Sequence, residues 1–298
     1  MLGHTSCYAV SVLAALLMVV CGAVVHLIDW WDAGVQWKIF EKREDTLWRT
    51  YENERHELKF YYTQWIFIMW IITYVTQLCW TLYGLELICR KTRTTNVYHN
   101  VPVVPSVVFI LMAVAEAGIL IWLFLWTTTA YFRYAPLGML ASTVCCYVAL
   151  ALSVGALSKN LHILYGIRAN RYVWETRILV HNGLGVAAAW TTIVMFYSVV
   201  VILQANRILP PKQDGYVFLS LLGGYLVVWF FVDLSLARKY IPHLLSPYFV
   251  FIVAEVQVLM KSGLTFNYHF IYSVVLLSLT VVMTLVRVSL AVGMATRK

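Results

Sequence analysis

The chain has 298 residues, 61% of them hydrophobic and only 12% charged, against about 45–50% and about 25% in a soluble globular protein. Its long apolar runs exclude a soluble domain and are too continuous for the alternating strands of a membrane barrel. The net charge of +8 is spread over short loops with no Lys/Arg block, which points to membrane topology and away from nucleic acid. The predicted fold class is all-α: one polytopic transmembrane helical bundle over 1–298, with about eight helices.

The first apolar segment covers 8–28. It is longer than a signal h-region and has no basic flank, so it reads as a retained helix; cleavage would leave seven. The polar stretch over 29–60 follows, with six Lys/Arg, eight Asp/Glu and Trp30, Trp31, Trp37 and Trp48. Two readings stay open for it: a solvated helix, or an aromatic lid lying on the membrane surface. The second segment, 62–89, carries Trp65, Trp70 and Trp80 through its middle, with Tyr74 and Tyr83 between them. A plain anchor keeps its aromatics at the interfaces, so these rings either face other helices or line a site. Further segments are predicted at 105–129, 137–158, 178–204, 216–237, 244–260 and 268–294, with a basic loop over 159–177. Small residues crowd segment four at Ala149, Ala151, Ser153, Gly155 and Ala156, and segment five from Gly183 to Ala189, as close helix packing requires.

Eight crossings put both termini on one side. The loops after segments two, four and six are basic, so the termini are expected in the cytoplasm and 29–60 outside it. The chain is then an integral multi-pass protein of the plasma membrane or an endomembrane.

Charge in hydrocarbon is expensive, so each intramembrane ionisable residue asks for a reason. Glu116 and Glu255 each sit about eleven residues into segments that start from the same side, near the midplane. They read either as neutral, hydrogen-bonded packing residues, or as the polar floor of a cavity or a proton-linked transport site. His181 and Asn182 read as interfacial groups or as a cavity mouth. Asp233 and Arg287 fall toward the cytoplasmic ends of their segments, and two readings stay open: the two pair, or Arg287 snorkels to the interface. The six cysteines have no zinc-site spacing, and no HExxH or GxSxG signature or acid–base pair marks an enzyme.

The run Trp65-Ile-Phe-Ile-Met-Trp70, followed by Tyr74, Gln77, Trp80 and Tyr83, resembles the long form of the tryptophan-rich sensory protein or translocator protein family (TspO/MBR-related). The order continues through Ile121–Trp126, His181-Asn182-Gly183 with Ala189-Trp190-Thr191-Thr192, and Ser246-Pro247-Tyr248. The resemblance spans about 37–287. It departs at Thr63-Gln64, where the family has Pro-Ala, and around Glu116, where the family has Asn. It implies a helical bundle with a cavity between helices, and a planar or hydrophobic ligand such as a porphyrin, haem or a sterol. By motif position, Trp65, Trp70, Trp122, Trp126 and Trp190 are the implied cavity residues. The leading function is binding of a small hydrophobic ligand. A transporter using Glu116 and Glu255, or a seven-helix receptor after cleavage, is the alternative. The bilayer is the expected partner, and a homo-oligomer is left open.

Overall fold

The computed structural model describes residues 2–30, 64–89, 103–128, 130–166, 169–210, 213–237, 243–262 and 268–296. From residue 31 onward the 29–60 stretch lies outside them, as does the side chain of Trp65. Among the described residues the chain forms eight helices and no strand: α1 (Leu2–Trp30), α2 (Gln64–Cys89), α3 (Ser106–Thr127), α4 (Ala135–Gly166), α5 (Asn170–Ala205), α6 (Asp214–Ala237), α7 (Ser246–Ser262) and α8 (Tyr268–Thr296). Seven are long and apolar enough to cross a bilayer. α7 has 17 residues and rises about 26 Å at ~1.5 Å per residue, the lower limit for a ~30 Å core.

The basic loop expected over 159–177 is for the most part helix. α4 continues to Gly166 and α5 begins at Asn170. The cause is apolar continuity: Leu157 and Leu164 sit seven residues apart on one face of α4, and both are buried, as is Val173 of α5. Between Thr176 and His181, α5 widens into a π-helical turn.

α5 is the centre of the bundle. It packs on α2, α4, α6 and α7, and every residue from Gly183 to Val194 is buried. A helix with one buried face would show a stripe instead. α1 is such a helix. Tyr8, Val12, Ala15, Val19, Gly22 and His26 face α2 and α3, while Val10, Leu13, Leu17, Val20 and Val24 are exposed. Exposed apolar side chains of this kind recur on α6 and α8 (Val228, Phe231, Val275, Leu285). In water they would form patches, and in a bilayer they are the lipid face. The architecture is that of an integral, multi-pass membrane protein.

Small residues set helix contacts where expected on α5, where a side-chain carbon on Gly183 would lie 2.7 Å from the Trp80 ring, and also at a place not expected. In α4 Ala151 is exposed and a side-chain carbon on Gly155 would meet nothing within 4 Å. The close approach is between α3 and α4. A side-chain carbon on Gly118 would lie 2.8 Å from the Gly138 carbonyl oxygen, and one on Gly138 would lie 2.7 Å from that of Gly118. This crossing fixes the level at which Glu116 and Trp122, on either side of Gly118, enter the bundle.

Candidate functional site

The stripe on α2 that faces inward is Trp70, Tyr74, Gln77 and Thr81, spaced four, three and four residues apart. All four are buried. Opposite them α3 presents Glu116, Ile119, Trp122 and Trp126, also at helical spacing and also buried. The two stripes meet His26 of α1 and Trp190 of α5 and form an aromatic cluster. Trp70 stacks on Trp122 at 6.0 Å between ring centroids and meets Trp190 edge-on at 5.8 Å. Trp122 stacks on Trp126 at 5.6 Å, and Trp126 packs on Phe132 at 4.7 Å. His26 lies 4.3 Å from Trp70. Each such pair contributes about 0.5–1.5 kcal/mol beyond burial alone. The Trp122 indole N–H donates to Ser198 Oγ of α5 at 3.0 Å, which fixes the ring.

Four of the predicted tryptophans are therefore brought together. Their rings pack against one another between α2, α3 and α5. A cavity of about 260 Å³ runs between α1 and α2. Its rim is Val20, Val24, Ile71 and Val75, all exposed on the lipid face, and its floor is His26, Trp70 and Tyr74. Trp80 is outside this group. It packs on Phe109 at 5.2 Å and against Gly183, filling the half of the bundle nearer the chain termini.

Behind the aromatic floor lies a polar layer. Glu116 is fully buried, and neither carboxyl oxygen has a hydrogen-bond partner among the described residues. The Gln77 carboxamide faces it and is likewise without a partner. Cys146 of α4 lies nearby, with Ser142 and Thr191 beside it. Buried polar groups are costly unless satisfied, so this layer is unusual for a packed interior. Tyr74 and His26 connect it to the groove. The Tyr74 hydroxyl is 2.8 Å from His26 Nδ1. His26 carries no sequence signal beyond being a lone polar residue near the end of an apolar run, and Tyr74 and Gln77 were legible only as parts of a motif.

His181 and Asn182 lie away from the aromatic cluster, at the π-helical turn of α5. Asn182 donates from Nδ2 to the carbonyls of Arg177 (2.9 Å) and His243 (3.2 Å). Its Oδ1 accepts from the Leu245 and Ser246 amides at 3.2 Å each. Two donors and two acceptor positions are the full capacity of a carboxamide, so Asn182 is spent on capping the start of α7. His181 is buried beside it, and its Nε2 has no hydrogen-bond partner among the described residues.

Glu255 does not join Glu116. Its Oε1 accepts from Thr280 Oγ1 of α8 at 2.8 Å. Seven residues before it on α7, the Tyr248 hydroxyl donates to Asp233 Oδ2 of α6 at 2.9 Å. Seven residues after Thr280 on α8, Arg287 Nε donates to the same oxygen. Asp233 and Arg287 thus form a fully buried ion pair. The antiparallel register of 248 with 287 and 255 with 280 lays α7 along α8. Comparison with family models, with curated proteins and with solved structures found no match to this chain.

Proposed function

We propose that this chain is a diverged relative of the tryptophan-rich sensory protein or translocator protein family that binds a hydrophobic, ring-containing ligand inside the membrane. The groove between α1 and α2 carries the proposal. It opens on the lipid face, its walls are aliphatic, and its floor is the Trp70, Tyr74 and His26 rings. Apolar walls with a few converging polar groups are the usual make-up of a ligand site. Ring faces suit flat, hydrophobic ligands such as porphyrins or sterols, and the groove's lining is almost wholly apolar. A ligand partitioned into the bilayer would reach this floor sideways, without crossing water.

A transporter in which Glu116 and Glu255 act together has less support, because Glu116 faces α1, α2 and α4 while Glu255 hydrogen-bonds to α8. The binding reading is tested by titrating protoporphyrin, and separately a sterol, into the full chain in lipid nanodiscs. Saturable binding is expected, with quenching of tryptophan emission by the porphyrin. Ala23→Phe, which fills the groove wall, should weaken it at least about tenfold, equivalent to about 1.4 kcal/mol. Non-saturable binding of both, or equal affinity in the filled variant, refutes the reading.

A further inference from the structure

We propose that the end of the bundle nearer the chain termini carries a site for the phosphate group of an anionic lipid, built on Arg177, Trp174 and His243. Arg177 lies in the π-helical turn of α5, a kind of turn that recurs at functional sites. It keeps only 7% of its surface accessible. Its Nε is enclosed without a hydrogen-bond partner, and its guanidinium forms no ion pair among the described residues. A cation held that deep asks for a counter-charge. The acids at this end are engaged elsewhere. Glu175 is bonded by Arg171, Glu86 acts on the same arginine, and Asp233 is held by Arg287. The sequence that joins the helices at this end, over 90–105, 167–169 and 238–245, adds Arg90, Lys91, Arg93, Arg168, Arg238 and Lys239 and no acid. The missing negative charge therefore comes from outside the chain.

The surroundings of Arg177 fit a phosphate. Its Cζ lies 5.8 Å from the centroid of the Trp174 ring, and the His243 ring packs on the same indole at 4.7 Å. Asn182 fixes the backbones of both residues, since its Nδ2 donates to the Arg177 carbonyl at 2.9 Å and to the His243 carbonyl at 3.2 Å. A site assembled before its ligand arrives loses less on binding. α7 starts just after His243, at Ser246, and the positive end of its dipole adds to the same field. The planar guanidinium fork matches phosphate oxygens. The exposed face decides for a lipid over a free anion. Trp174 is 46% exposed, and Ile178, one turn deeper on the same side of α5, is 58% exposed. An indole at the interface above an exposed aliphatic residue marks a lipid-facing helix end. A phosphate at Arg177 would lay its acyl chains along Ile178. Basic pockets between helices at the membrane edge hold anionic head groups in this way.

This site shares no residue with the groove between α1 and α2, so either proposal can fail alone. The full chain in neutral detergent is unfolded by heat and followed by circular dichroism while one of three probes is added: a short-chain phosphatidylglycerol, the matching phosphatidylcholine, or inorganic phosphate. Phosphatidylglycerol should raise the midpoint saturably, and phosphatidylcholine should bind at least about fivefold more weakly. Inorganic phosphate should shift the midpoint little. Arg177→Gln should abolish the preference for phosphatidylglycerol, whereas Arg171→Gln, at an exposed arginine already paired with Glu175, should keep it. Trp174→Ala, at an exposed position, should weaken phosphatidylglycerol binding at least about twofold, and it decides the matter if Arg177→Gln does not fold. Equal responses to the two lipids overturn the proposal, as does an undiminished preference in folded Arg177→Gln or unchanged binding in Trp174→Ala. A shift with inorganic phosphate as large as with phosphatidylglycerol overturns the assignment to a lipid.

Discussion

Replacing Gly138 by alanine tests whether the α3–α4 crossing sets the level of the site. The new carbon would lie 2.7 Å from the Gly118 carbonyl oxygen, 2.8 Å from the Trp122 nitrogen and 3.1 Å from its Cα. Close carbon–oxygen contacts sit at about 3.3–3.6 Å, so the two helices must part locally by about 0.6 Å. All three opposing atoms are backbone, so no side-chain rotation relieves the strain. Overpacking of this kind costs about 1–3 kcal/mol. Gly155→Ala on the same helix is the control, because its carbon meets nothing within 4 Å. That change should be neutral, or gain up to about 1 kcal/mol from helix propensity. Unfolding in mixed detergent micelles, followed by circular dichroism, should separate the variants. Because the displaced backbone belongs to Trp122, the Gly138 variant should also change tryptophan emission. Equal stability and emission in the two variants would refute the reasoning.

Three further predictions rest on other parts of the bundle. Arg287→Met leaves the Asp233 carboxylate buried without its cation and should cost about 3–5 kcal/mol; adding Asp233→Leu should recover most of it, and strictly additive losses in the double-mutant cycle would sink the pairing. Asn182→Ala removes four hydrogen bonds at about 0.5–1.5 kcal/mol each before relaxation, and hydrogen exchange at the Leu245 and Ser246 amides should rise together; unchanged protection there would contradict the capping role. Gly22→Ala meets the ends of the Glu116 and Tyr74 side chains rather than backbone. It should therefore cost less in the same unfolding assay than Gly138→Ala, and an equal or larger loss would show that this junction cannot yield.

The eight-helix, all-α bundle was legible because hydrocarbon leaves a spanning chain no other way to satisfy its backbone. Length and continuity of apolar residues carry that signal, so the helices could be read from composition alone. Glu116 stood out for the same reason, as a carboxyl group where charge is expensive. The pairing of Asp233 with Arg287, offered by their depth, is present in the structure. His26 did not stand out, because a histidine near a helix end is compatible with an interface position. Asn182 was legible as a polar residue inside a segment, but its partners lie at residues 243–246 and no local pattern announces them.

What the sequence determined by itself is the set of apolar helices, since transfer into lipid depends on each segment's own residues. Which face of each helix is buried was left open, because a helix that is apolar all round has no polar face to point outward. Tertiary packing decided that. It made α5, rather than the tryptophan-rich α2, the buried centre. It packed the indole rings together between α2, α3 and α5 and left a groove between α1 and α2. It also separated Glu255 from Glu116, which were expected at one depth but have different neighbours. Depth follows from position along a helix, whereas neighbours follow from how helices fit, and that fit is set where two glycines let α3 and α4 touch.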